Sequence, residues 1–374
     1  MQGNEKLIYP QAERQRALQA LTFAESQQLQ RDLPRDTVLK SLQLRLSGSV
    51  VTTFGSGTPV ADARSTFDNL ISRIDVTVNG SRVVKSVRPH MMRIQQLLTT
   101  TVLGERRASA AAGAATDNFP TVDQGFVYGT TTQITTAAET IYVPFEHVYC
   151  EIGMGRESTW LNLKGASSAE LKLTTNAFSA LLGFGNTAPV VYSSSTFVID
   201  IVTREAQDIP PQIAFSDHKV TLKNITFSAE TLEFPIDINK GNKLSGIMLF
   251  ATDGAAGSAT TATGKLASNL ALTKLALKVN GQTDIKTIKF KDLQAENRSQ
   301  YGVNAPMASN VSLLDGIAHL NLLARKDITT ALDCRQPMVD SVQLFVSTNT
   351  AGNVSYTNPI NVSIQTEEIV EPIG

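Results

Sequence analysis

Ser72-Arg73-Ile74-Asp75-Val76-Thr77-Val78-Asn79-Gly80 and Thr273-Lys274-Leu275-Ala276-Leu277-Lys278-Val279-Asn280-Gly281 are two copies of one pattern, 201 positions apart. Ile74, Val76 and Val78 alternate with Asp75 and Thr77, and Leu275, Leu277 and Val279 alternate with Ala276 and Lys278, so each segment is a strand with one apolar face. Asn-Gly then supplies two residues that tolerate positive φ, as the tight turn between antiparallel strands requires. The match runs on through Lys85 and Lys286, with Val83 against Asp284 as its exception. This is a repeated β-hairpin.

Working outward, Pro34 and Asp36 match Pro235 and Asp237 at the same offset of 201. Leu39, Leu42 and Leu44 then match Leu244, Ile247 and Leu249 at 205, which a four-residue insertion explains. Each hairpin leads into a short helical segment, Pro89 to about Leu98 and Phe290 to about Gln300, and proline suits a first helical turn. A period near 200 residues is too long for a solenoid repeat and indicates duplicated domains.

The remaining strand candidates are Thr140–Tyr149, Thr159–Lys164, Ala169–Thr175, Thr196–Thr203, Lys219–Ser228, Ala318–Ala324, Ser341–Ser347 and Ile360–Gln365. Many strands, few helices and no βαβ alternation give an all-β chain of two tandem sandwiches. Gln11 to Arg31, rich in Gln, Ala, Arg and Leu, carries a weak helical stripe and is expected to form an N-terminal helical arm. The expected division is 1–33 for this arm, 34–209 for the first domain and 210–374 for the second, with Asp208-Ile209-Pro210-Pro211 as the boundary. Small-residue tracts between Gly104 and Thr136 and at Asp253–Gly264 read as exposed loops.

Composition narrows the function classes. Lys and Arg total 33 against 34 Asp and Glu, so nothing marks the chain as a polyanion binder, and no specific nucleic-acid binding is expected. A 42% hydrophobic content with mean hydropathy −0.05 fits a folded globular chain. No secretion signal or membrane-span pattern is visible, which points to synthesis and folding in a cytoplasm. Cys150 and Cys334 lack CxxC spacing and read as buried thiols. His90, His147, His218 and His319 are scattered without metal-ligand spacing.

Gly153–Ser158 and Gly183–Thr187 lack the context of phosphate-binding loops and read as turns. No nucleophile elbow is present, and Glu367-Glu368 reads as part of a solvated C-terminal tail. The Asn-X-Ser/Thr matches read as chance in a Ser/Thr-rich chain, and Trp160 and Phe178 read as core aromatics. No catalytic, cofactor-binding or metal-ligating residue is therefore assigned, no cofactor is expected, and the chain does not read as an enzyme.

The plan resembles the double jelly-roll major capsid proteins of tailless icosahedral double-stranded DNA viruses, especially bacterial viruses with an internal membrane. Its carriers are Leu33-Pro34-Arg35-Asp36 with the following strand, the Asn79-Gly80 and Asn280-Gly281 hairpins, the Ala/Gly/Ser/Thr-rich loops and the N-terminal arm. The resemblance implies an obligate homotrimer whose six jelly rolls form a pseudo-hexagonal capsomer, located in the virion and assembled in the host cytoplasm. It implies contacts with neighbouring capsomers, with penton and minor capsid proteins, and with an internal viral membrane through the arm. The alternative from another class is a tandem β-sandwich carbohydrate-binding or adhesion protein.

Overall fold

The computed structural model describes residues 13–54, 66–99, 109–110, 122–124, 132–151, 153–178, 190–207, 209, 214–252, 268–301, 311–312, 315–354, 356 and 359–371. In the first half, eight strands carry the architecture. They are β1 (Glu13–Thr22), β2 (Gln28–Asp32), β3 (Val38–Phe54), β4 (Ile71–Val78), β5 (Arg82–Val87), β6 (Thr132–Pro144), β7 (Ala169–Thr175) and β8 (Val198–Ala206). The second half repeats the set as β9 (Asp217–Phe227), β10 (Phe234–Ile238), β11 (Lys243–Thr252), β12 (Leu272–Val279), β13 (Thr283–Lys289), β14 (Ile317–Asn321), β15 (Val342–Thr348) and β16 (Ile360–Val370).

Strand order carries the duplication. One sheet of the first half runs β1-β8-β3-β6 and the other β2-β7-β4-β5. The second half gives β9-β16-β11-β14 and β10-β15-β12-β13, the same order strand for strand. Two four-stranded sheets whose neighbours come from opposite ends of the segment make a jelly roll, so the chain is a double jelly roll. Short strands such as Val190–Ser195 and Leu161–Asn162 extend the first sheet beside β3.

Strict alternation fills each core. Leu42, Leu44 and Leu46 of β3 and Ile199 and Ile201 of β8 pack with Ile74, Val76, Leu171 and Leu173 from the facing sheet. Ile247, Leu249 and Ile364 pack with Leu275, Leu277, Leu344 and Val346 in the second half. Helix α1 (Thr66–Leu70) precedes β4, α2 (Pro89–Thr99) follows β5, and α3 (Phe290–Tyr301) follows β13. The two later helices occupy the expected places after the Asn-Gly hairpins.

Both hairpin turns have positive φ at both central residues: 55° and 76° at Asn79 and Gly80, 53° and 69° at Asn280 and Gly281. The Gln282 N–H donates to the Val279 carbonyl across the second turn.

The N-terminal helical arm is corrected. Residues 13–22 and 28–32 are strands, β1 paired along its length with β8 and β2 paired with β7. Good helix formers are overridden here by partners that no local pattern reveals. Leu21 and Phe23 enter the first core, and Arg14 and Arg16 both reach the buried Glu205 carboxylate, at 2.8 and 3.0 Å. Of the two expected loop tracts, 253–264 lies outside the described residues, as does most of 104–136, whose last residues, from Thr132 on, begin β6.

Candidate functional site at the seam between the sandwiches

The two jelly rolls share a sheet. β5, at the edge of the first, pairs in parallel with β9, at the edge of the second, giving the continuous order β2-β7-β4-β5-β9-β16-β11-β14. The outer faces of β11, β14 and β16 are thereby covered by the first half. Met248 and Phe250 of β11 and Ile317 of β14 pack with Met91, Ile94 and Leu98 of α2 and with Tyr149 and Cys150 as a third apolar cluster. Because both its faces are covered, β11 reads Ile247-Met248-Leu249-Phe250 without alternation.

Polar groups cross the same seam. Arg82 pairs with Asp217 at 2.6 Å, the Arg88 backbone N–H donates to Gln365 Oε1 at 3.0 Å, and Arg88 Nη1 donates to Ser363 Oγ at 2.9 Å. The Arg88 guanidinium also lies 4.9 Å from the Phe250 ring centre.

At the middle of the seam, residues distant in sequence converge. His147 comes from the turn after β6, His218 from β9, His319 from β14 and Glu367 from β16, and none is more than 1% exposed. His218 Nε2 lies 3.4 Å and His147 Nε2 3.7 Å from Glu367 Oε2, while His319 Nε2 lies 3.9 Å from Oε1. One ligand atom from each of His147, His218 and Glu367 falls within 4.8 Å of the others, so these three could hold a metal ion. Neither carboxylate oxygen of Glu367 has a hydrogen-bond partner among the described residues, nor does any of the three Nε2 atoms.

A second layer orients the rings. Lys85 Nζ lies 2.9 Å from His218 Nδ1, and the Tyr301 hydroxyl 2.6 Å from His319 Nδ1. The His147 and His218 rings stand 4.3 Å apart, and Tyr149 stacks on His319 at 4.3 Å. Gly246, beside a bulge in β11, makes the close approach possible: a Cβ there would lie 2.9 Å from His319 Nε2.

Burial dominates the electrostatics. It pushes the His147 and His218 rings well below the ordinary imidazole range, helped by His218 in the first case and Lys85 in the second. It lowers His319 against the pull of Glu367, and brings the Lys85 ammonium down to about 7 although Glu367 and Asp217 oppose it. Burial thus favours the neutral form of all three rings beside Glu367.

Sequence spacing gave no sign of this convergence. Glu367 and Glu368, expected in a solvated tail, are buried on β16 at 1% and 2% exposure. The polar alternation Ser363, Gln365, Glu367 looks like a wet face until the first jelly roll covers it. Its one legible trace is the unbroken apolar run of β11 beside it. Cys150 and Cys334 are buried thiols, burial pushing Cys150 up to about 12. Gly153 and Gly155 adopt positive φ in a turn, whereas 183–187 lies outside the described residues. Trp160 is half-buried, its Nε1–H donating to Glu146 Oε2 and its ring 5.3 Å from Lys40 Nζ, an arrangement unlike an open sugar platform.

No family model matches the sequence, and neither does any curated protein. Solved structures do match over almost the whole chain. The STIV major capsid protein (Sulfolobus Turreted Icosahedral Virus) superposes with a TM-score of 0.64 at 16% identity, covering 96% of this chain and 97% of that one. The major capsid protein of bacteriophage PM2 gives 0.55 at 11% identity, covering 96% and 98%. The PBCV-1 virus capsid gives 0.54 at 11% identity, covering 96% and 95%. At these identities the likeness is one of fold, and the shared fold is the double jelly roll.

Proposed function

We propose that this protein is the major capsid protein of an icosahedral double-stranded DNA virus, working as a pseudo-hexagonal homotrimeric capsomer. The observation that carries the reading is the strand-for-strand repetition of one jelly roll within a single chain, joined through a shared sheet. Two similar but unequal units at a fixed mutual angle let three-fold symmetry imitate six-fold symmetry, which suits a tiled shell. The fold shared with the capsid proteins of Sulfolobus Turreted Icosahedral Virus and bacteriophage PM2 supports it, and the covered seam supports it further, since a tile must hold its two halves rigidly.

The working surfaces of such a protein are its flanks, and no reaction is assigned to it. Its partners are two further copies of itself, neighbouring capsomers, and penton and minor capsid proteins, met in the host cytoplasm during assembly. With β1 and β2 built into the first jelly roll, a contact with an internal membrane falls to the residues before Glu13 in this reading.

Light scattering on the purified chain tests the proposal. Three copies of 40.3 kDa give a particle of about 121 kDa. A strict monomer across the micromolar range contradicts it.

A further inference from the structure

We propose that His147, His218 and Glu367 bind a divalent transition-metal ion of the zinc class, which fastens the first jelly roll to the second. The spacing of the donor atoms is the first argument. Hydrogen-bonded groups close to about 2.7–3.2 Å, yet Nε2 of His218 and of His147 stop at 3.4 and 3.7 Å from Glu367 Oε2. Tetrahedral ligands about 2.0–2.1 Å from a common zinc ion stand about 3.3–3.4 Å apart. The two edges to Glu367 are thus near ligand spacing, and all three donor atoms lie within 4.8 Å of one another.

The second argument is that these buried atoms lack hydrogen-bond partners among the described residues. Both Glu367 oxygens, both His147 nitrogens and His218 Nε2 lack hydrogen-bond partners among the described residues while buried from solvent. A buried carboxylate in that state is costly, and native structures avoid it or neutralise it with a metal. An ion satisfies the nitrogen lone pairs and one carboxylate oxygen at once.

A second layer holds the rings in place: Lys85 Nζ lies against His218 Nδ1 and turns Nε2 toward Glu367, and His319, held by Tyr301, faces the second carboxylate oxygen. Two imidazoles and one carboxylate select zinc, cobalt or a similar ion over calcium or magnesium, which prefer oxygen ligands throughout. The donors come from both halves of the chain, and the site is closed, so the ion enters during folding and leaves only when the seam opens.

The test expresses the full chain in minimal medium with cobalt in place of zinc and measures metal content and the visible spectrum after gel filtration. The expected result is about one ion per chain with the intense bands of four-coordinate cobalt, together with histidine ring protons shifted outside the diamagnetic range. Glu367→Gln and His218→Asn should each lose the colour and the ion. A wild-type chain that is folded but colourless and metal-free overturns the proposal, as does a variant that keeps both. Should the variants fail to fold, the wild-type ring protons decide: unshifted histidine resonances in a cobalt-loaded chain place the ion elsewhere and overturn it.

Discussion

At the residue scale, the two hairpin asparagines do more than permit a turn. Asn79 Oδ1 accepts the Ser167 N–H at 2.8 Å, and Asn280 Oδ1 accepts the N–H groups of Asp340 and Ser341 at 2.7 and 3.1 Å. Their own N–H groups donate to the Ser168 and Ser341 carbonyls, both at 2.9 Å. Each asparagine therefore ties its hairpin to the chain entering β7 or β15. Asn280→Gly keeps the positive φ but removes the acceptor, and should cost about 1 kcal/mol in denaturant unfolding; an unchanged midpoint would show that the tie is dispensable.

A buried charge cluster gives a second residue-scale expectation. Burial alone would raise the Asp68 carboxyl, but the Arg93 guanidinium at 3.1 Å and the adjacent His90 ring outweigh it and hold the carboxyl down at about 2 against an ordinary 3.8. A folded-state value below the unfolded one stabilises the protein above the unfolded value, and that stability is lost as pH falls from about 4 toward 2. The loss should be on the order of 2 kcal/mol. The stability advantage of wild type over Asp68→Asn should accordingly shrink by that amount across the window, as followed by urea unfolding at successive pH values. A constant difference contradicts the assignment.

At the element scale, the N-terminal strands separate what was legible from what was not. β4 and β12 announced themselves because alternation, turn and repeat agree at those positions. β1 did not, because Ala17, Ala20 and the glutamines favour a helix locally and only β8, 176 to 193 positions downstream, makes a strand of them. The seam cluster was hidden for a related reason: His147, His218, His319 and Glu367 meet through the parallel pairing of β5 with β9, a contact between domains that no local spacing encodes. Removing residues 1–32 takes away an edge strand from each sheet of the first jelly roll, along with the buried Leu21 and Phe23. The truncated chain should lose cooperative unfolding of its first half and bind a hydrophobic dye. Native-like unfolding of that chain would show that β1 and β2 are accessory.

At the scale of the whole molecule, the continuous sheet explains why duplication is useful here. A flexible linker would leave two jelly rolls free to adopt many mutual angles. The β5–β9 pairing, the apolar cluster around Phe250 and the crossings of Arg82 and Arg88 fix one angle instead. A chain built this way is a two-part unit with one fixed geometry, and in the proposed capsomer three such units around an axis present six similar edges. The most direct measurement is the outline of the purified particle in negative-stain electron microscopy. Class averages viewed down the three-fold axis should show six lobes in a near-hexagonal ring; isolated two-lobed particles would contradict the capsomer reading.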